Sequence, residues 1–242
     1  MRTRDTAAAR TLTEEIFERV LADILACRLK PGDKLKVEHL RAVHGVGSSP
    51  VREALSRLTA AGLVHAEGQR GFFVSEVSPD DLLDLTRLRI MIEGAALRSS
   101  IRNGDRDWEA RLLAAAHRLG VDEGTPKQGT TIDPEWEVLH REFHQALVAA
   151  CDSPRLLAYR ETLNDMSDRY RHLAVATGAP GRDPAAEHRM IMTAALERRT
   201  ELASTLLENH FLETARRVLI GMSIPEGDVS GLLETVRKKA GI

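Results

Sequence analysis

The stretch GVGSSPVREALSRLTAAGLV, residues 45–64, sets the reading of the whole front of this chain. Val51, Ala54, Leu55 and Leu58 recur at three- and four-residue steps, the spacing of an apolar stripe on a helix. Ser48 or Ser49 can cap its start, and Pro50 suits a first turn, where its missing N–H costs nothing. Beyond Gly62 the period shortens, and LVHAEGQRGFFVSEV reads as two short strands around Glu67-Gly68-Gln69-Arg70-Gly71. Upstream, TEEIFERVLADILACR (13–28) puts Ile16, Phe17, Val20, Leu21, Ile24 and Leu25 on one stripe. That helix stops at LKPGDKL, where Pro31-Gly32 forces a turn, and VEHLRAVHG follows as a short helix ended by Gly45.

Three helices and then a hairpin is the order of a winged helix-turn-helix, whose last helix enters the DNA major groove. Ser48, Ser49 and Arg52 fall at that helix's N-terminal end. Short hydroxyls there suit phosphate oxygens, while Arg52 has the reach and the fork for a guanine edge, the alternative being an ion pair with Glu53. Gln69 and Arg70, at the wing tip, are placed for the neighbouring minor groove.

Charge supports the division. Residues 1–75 hold 12 Lys/Arg against 9 Asp/Glu, and the remainder 22 against 27, so the net charge of −2 hides a basic front and an acidic back. With 242 residues, 43% hydrophobic and only 4% aromatic, the chain has room for one large or two small domains of helix-rich character. No apolar run approaches the ~20 residues of a membrane span, and the N-terminus lacks a hydrophobic signal core. A cytoplasmic protein is expected, with Cys27 and Cys151 as reduced packing residues.

From Ser78 onward every signal is helical. Ser78-Pro79-Asp80-Asp81 opens a helix to about Arg102, and another covers roughly 105–119. VDEGTPKQGTTI (121–132) reads as a mobile loop. Asp133-Pro134, Ser153-Pro154 and Asp183-Pro184 repeat the cap-plus-proline signature, a last long helix runs over about 200–219, and residues 223–242 form a tail with a short helix. No Walker loop, dinucleotide-binding glycine motif or nucleophile elbow is present.

WEVLHREFHQAL (136–147) puts His140 and His144 one helical turn apart, on one face. A zincin would need a glutamate directly after the first histidine; Arg141 stands there, and Glu142 is rotated a further ~100°. What remains is a metal-ligand pair without a catalytic base, or two unrelated half-buried histidines.

The sequence LKPGDKL…GVGSSPVREALSRLTAAGLV…GQRGFFV closely resembles the N-terminal domain of GntR-type bacterial transcription regulators over about residues 10–77. The family's pattern has a DNA-touching arginine where this chain has Ser48, and Lys36, early in the second helix, is a partial substitute through phosphate binding. The rest, 78–222, resembles the FCD sensor domain of the FadR subfamily through Arg89/Glu93, Phe143-His144, Glu187-His188 and His210 in E-N-H. Metal-binding members use one acidic residue and three histidines. By position these histidines are His144, His188 and His210, and His140 takes the acidic place. Four imidazoles favour Zn²⁺, with Ni²⁺ and Cu²⁺ behind, over harder ions. Three antiparallel helices can direct four such side chains to one point; His39, His44, His65, His117 and His172 lack that context.

The resemblance implies a mainly α protein: a winged helix-turn-helix followed by an antiparallel helical bundle. It implies a homodimer on a two-fold double-stranded operator, since one head reads few base pairs. It further implies a repressor released by a small carboxylate beside the metal, with Arg89 as the acid's bidentate partner and Arg169 as a second candidate by helix placement. For Arg89 an i,i+4 salt bridge with Glu93 is the competing reading. The wording WEVLHREFHQALVAACDS is similar to the CsiR-like branch, which points to a dicarboxylate such as glutarate. Two rival functions are a metal-ion-responsive regulator and a metal-dependent hydrolase.

Overall fold

The structure, a computed structural model, describes residues 11–121, 132–176 and 182–241. The stretch read as a loop at 121–132 lies outside the described residues except for Val121 and Ile132. The chain divides into two compact units, one ending at Val77 and the other beginning at Ser78.

The first unit runs α1 (Leu12–Leu25), β1 (Lys34–Leu35), α2 (Val37–His44), α3 (Ser48–Ala60), β2 (Val64–Glu67), a 3-10 turn over Gly68–Arg70, and β3 (Gly71–Val74). Ile16, Val20 and Ile24 of α1 are buried, as are Val51, Ala54, Leu55 and Leu58 of α3, and the two helices pack together. The apolar stripes of the sequence are therefore the core of this unit. β2 and β3 pair antiparallel from Val64↔Val74 to Glu67↔Gly71, which is the expected hairpin.

Three local features differ from the sequence reading. LKPGDKL is more than a turn. Lys34 and Leu35 pair with Phe73 and Phe72, giving a three-stranded sheet in the order β1-β3-β2. Gly32, at φ +81°, donates its N–H to the Val74 carbonyl, and the Val74 N–H donates to Asp33, so glycine's backbone freedom delivers the strand. Two residues are too few for period-2 alternation to show in sequence. Second, neither Ser48 nor Ser49 caps α3. Gly47, extended at φ −74° and ψ 173°, is the N-cap, and both serines are the first helical residues. Their hydroxyls are left to face outward, and Pro50 still lies where the backbone N–H has no helical acceptor. Third, Lys36 is the N-cap residue of α2 and stands outside the helix proper.

The second unit is all helix: α4 (Pro79–Asn103), α5 (Arg106–Leu119), α6 (Pro134–Val148), α7 (Pro154–Ala176), α8 (Pro184–Leu196), α9 (Thr200–Gly221) and α10 (Glu226–Ala240). The acid or hydroxyl before α4, α5, α6 and α8 does what its position suggests. Ser78 Oγ accepts from the Asp81 N–H at 3.1 Å, Asp105 from Trp108 at 2.8 Å, Asp133 from Glu135 at 2.9 Å and Asp183 from Ala186 at 3.1 Å. α4 packs against α6, α7, α9 and α10 and is the axis of the bundle. Leu97, Ile101, Trp108, Leu112, Phe143, Leu147, Ile191 and Phe211 join in one buried cluster around it.

The last twenty residues are more than a tail. α10 is 15 residues long, buries Val229 and Val236, packs on α4 and α9, and ties Arg237 to Glu208 at 2.6 Å. The bundle thus extends past residue 222 to Ala240. Gly227 and Gly231 dilute that helix's propensity, so its apolar stripe is weak until α4 is there to cover it. Among the described residues no helix is long and apolar enough to cross a membrane.

Gly104 sets the close approach between α4 and α5. A Cβ there would lie 2.6 Å from Trp108 Cδ2 and 2.8 Å from the Ser100 carbonyl oxygen, against a Trp108 that is fully buried. Gly104→Ala is expected to cost roughly 1–3 kcal/mol by overpacking. Urea unfolding of the two proteins measures it, and an unchanged midpoint would refute the crowding.

Candidate functional site

Three helices converge on one point. α6 contributes His140 and His144, α8 His188 and α9 His210. Their ligand atoms lie within 4.8 Å of one another, and all four rings are buried. Ring centroids are 4.6 Å apart for His140–His144, 5.0 Å for His140–His188 and 4.8 Å for His188–His210. Trp136, one turn before His140, stacks on it at 4.7 Å.

The hydrogen bonds test whether a metal fits. Both ring nitrogens of His144 and Nε2 of His188 are buried without a hydrogen-bond partner. Each such group costs about 1–3 kcal/mol if nothing meets it, so several in one cluster mark a place built for a ligand. His210 Nδ1 lies 2.7 Å from Glu187 Oε2 and 3.0 Å from Arg182 Nη2. A guanidinium only donates, and Arg182 is already met by both Glu187 oxygens, Thr214 and the His210 carbonyl. We therefore assign the proton to Nδ1, donating to Glu187, which leaves the Nε2 lone pair for a metal. The donor set suits a borderline-soft divalent ion.

Arginines surround this cluster. Arg89, on α4, donates from Nε to Glu93 at 2.8 Å, from Nη1 to Ser167 at 2.6 Å and from Nη2 to Asn164 at 3.3 Å. The salt bridge with Glu93 is thus real, and it is buried. Arg160 shares the same carboxylate, Nε to Glu93 Oε2 at 3.1 Å. Arg171 Nη1 lies 3.4 Å from His140 Nδ1 and pairs with Glu137 and Asp168 at 2.9 Å each. Arg160, Asn164, Ser167 and Arg171 follow at steps of four, three and four, one polar stripe along α7. Arg169 is two residues from Ser167 and Arg171, about 200° around the helix, and so leaves that stripe; it is buried, with its guanidinium carbon 5.6 Å from the Tyr170 ring centroid. That stripe was readable in the sequence, whereas Arg182, which reaches the site from just before α8, was not.

In the first unit, Ser48, Ser49 and Arg52 are exposed together at the start of α3. Arg52 has no ion pair among the described residues, and Glu53, its proposed partner, instead accepts from Thr13 Oγ1 at 3.3 Å. Gln69 and Arg70 are exposed on the 3-10 turn, where Arg70 pairs with Glu67 at 2.6 Å and lies over Phe73. Lys36 is exposed as well.

Residues 12–74 match the bacterial regulatory proteins of the gntR family, and residues 84–213 match the FCD domain. The chain belongs to the GntR family. It is 40% identical over 205 residues, 84% of each chain, to BphR of Paraburkholderia xenovorans, an uncharacterised HTH-type transcriptional regulator. Over 194 residues, 78% of this chain and 88% of the other, it is 36% identical to GlaR of Escherichia coli, an HTH-type transcriptional repressor. A solved GntR family member from Pseudomonas syringae superposes with a TM-score of 0.51 at 26% identity, covering 88% of this chain and 86% of that one. E. coli McbR/YncC shares the fold with a TM-score of 0.67 at 21% identity, covering 85% and 95%. These GntR relatives are transcription regulators and not enzymes, which removes the hydrolase reading, and the GntR helix-turn-helix implies DNA binding.

In this GntR protein the four clustered FCD histidines are held neutral. Burial pushes each imidazole down, His188 to about 3 and the other three well below the ordinary value. After burial the largest push comes from Arg171 on His140, from His188 on His144, and from Arg182 on both His188 and His210. Neutral rings are what metal ligation requires. The sign for folding follows. Because the folded values lie below the unfolded ~6.5, the favourable neutral state is fully available above that pH and is lost as pH falls below it. Metal-free protein is expected to lose up to ~1.4 kcal/mol per pH unit for each such histidine. Denaturant unfolding at pH 7.5, 6.5 and 5.5 measures this, and stability flat across that range would contradict it.

Proposed function

We propose that this GntR-family protein is a metabolite-responsive repressor whose FCD domain binds a small carboxylic acid beside a divalent transition metal, and which releases its operator in response. The observation that carries the reading is the set of four buried neutral imidazoles, two of them with unmet ring nitrogens, behind a GntR-type head. His140, His144, His188 and His210 would hold the ion, zinc first and nickel second. When bound, it would supply a Lewis-acid position for a carboxylate oxygen, a fifth site beyond four imidazoles. Glu187 fixes the His210 tautomer, and Trp136 and Arg171 bracket His140. Arg89 adds positive field at the site from a guanidinium already locked in place. The resemblance to the CsiR-like branch favours a dicarboxylate such as glutarate, and the name repressor is carried by the similar GlaR.

The operator side rests on α3. Ser48 and Ser49 meet phosphate, Arg52 reads a base edge, Gln69 and Arg70 approach the minor groove, and Lys36 meets phosphate. A homodimer presents two such heads to a two-fold operator in the cytoplasm. Arg52→Ala is expected to cost ~1–3 kcal/mol of specific binding while leaving nonspecific binding nearly intact. Gel shifts on operator and random duplex distinguish these; equal loss on both would make Arg52 a phosphate contact.

The ligand can act only through differential affinity for the DNA-competent and DNA-incompetent states. A coupling of ~1–3 kcal/mol would loosen operator binding by roughly 5- to 150-fold. Protein loaded with zinc is expected to release operator when a C4–C6 dicarboxylate is added. His188→Ala protein is expected to carry no stoichiometric metal by native mass spectrometry and to hold operator regardless of the acid. Release on metal titration alone would instead make the ion the signal.

A further inference from the structure

Charge is unevenly matched beside the four histidines. Glu93 is the one carboxylate that Arg89 and Arg160 share, at 2.8 Å and 3.1 Å, and all three side chains are buried. Two guanidiniums against one carboxylate leave an excess positive charge in the bundle interior, which is costly unless an anion meets it. The two arginines are not equivalent. Arg89 spends its nitrogens on Glu93, Ser167 and Asn164, and its guanidinium carbon lies 4.1 Å over the Phe211 ring. Arg160 is 2% exposed, and its Nη2 is buried with no hydrogen-bond partner. Arg171 also has an unmet Nε, but that guanidinium faces two carboxylates, Glu137 and Asp168. Arg182 is held bidentately by Glu187. Arg160 thus combines an unmet donor with an unmatched charge. It lies on the polar stripe of α7 with Asn164 and Ser167 and is close enough to contribute to keeping His144 neutral.

We propose that Arg160 is the anchor for a second anionic group of the effector, so that the site selects a small dicarboxylate with one end at the four-histidine centre and the other on Arg160. This rests on the metal-and-carboxylate reading above and names the residue that sets its specificity. A centre with four neutral ligands keeps the full charge of a divalent ion, and the Arg89–Glu93–Arg160 group carries another positive charge. A monocarboxylate answers one of these and a dicarboxylate answers both. Arg89 is then a positioning residue, because it fixes the Glu93 carboxylate that orients Arg160.

Calorimetry on zinc-loaded full-length protein tests this, with glutarate and its monomethyl ester as probes of equal length and different charge. Wild-type protein is expected to bind glutarate at least about tenfold more tightly than the half-ester. Arg160→Gln is expected to weaken glutarate by about 10- to 100-fold and leave the half-ester nearly unchanged, with zinc stoichiometry by native mass spectrometry and the circular dichroism spectrum retained. Arg160→Lys, which keeps the charge without the fork, is expected to fall between. Equal affinity of wild-type protein for the two probes would overturn the proposal without reference to any variant. So would undiminished glutarate binding by a folded, zinc-loaded Arg160→Gln protein, and in both cases the metal-and-carboxylate reading survives. Wild-type zinc-loaded protein that binds neither probe would overturn both.

Discussion

The second unit depends on one electrostatic constraint: polar and charged groups are placed where a helical bundle ordinarily keeps hydrocarbon. His140, His144, His188 and His210 are buried beside Phe143 and Phe211, and Arg89, Glu93 and Arg160 are buried with them. A core made only for stability would fill that volume with leucine at lower cost. Each imidazole stays neutral because burial penalises its charged form, and the nearby arginines act in the same direction. The result is a set of lone pairs and unmet donors held in place by the apolar layers around them. Pre-organisation of this kind is what a receptor for an ion and an anion needs.

Helix lengths and caps deliver that arrangement. α6 begins at an aspartate cap and carries two histidines one turn apart, so both rings point from one face. α8 and α9 follow each other closely and pack together, and each supplies one ring to the same centre. Glu187 precedes His188 in sequence yet serves His210 on the next helix, an assignment made by packing alone. α4 supports all of this as the bundle's axis and carries the Arg89–Glu93 pair on its buried side.

The head follows simpler physics. Apolar stripes on α1 and α3 close a small core, a three-stranded sheet covers one side, and the polar start of α3 is left exposed. Arg52 is unencumbered among the described residues, whereas Arg70 is held by Glu67 and Phe73. A side chain free in the absence of DNA and one already braced differ in the entropy each loses on binding.

The sequence by itself determined the order of elements in the head, the helical character of everything after Ser78, and the four histidines, because each of these is written in local periodicity, cap chemistry or a motif of fixed spacing. It also carried the family, through P-V-R-E-A-L and the histidine positions. Tertiary structure alone decided the rest. β1 is two residues long and exists only because β3 lies beside it. α10 has two glycines in its run and is stabilised by α4 and α9. Gly47 rather than a serine caps α3, since the choice of cap depends on the backbone of the preceding turn. Most of all, sequence offered Arg89 and Arg169 as anion partners, while the fold satisfied Arg89, set Arg169 off the polar stripe of α7 and placed Arg160, with an unmet nitrogen, on that stripe. Whether a buried charge is matched depends on which neighbours reach it across helices, and no local pattern in the chain records that.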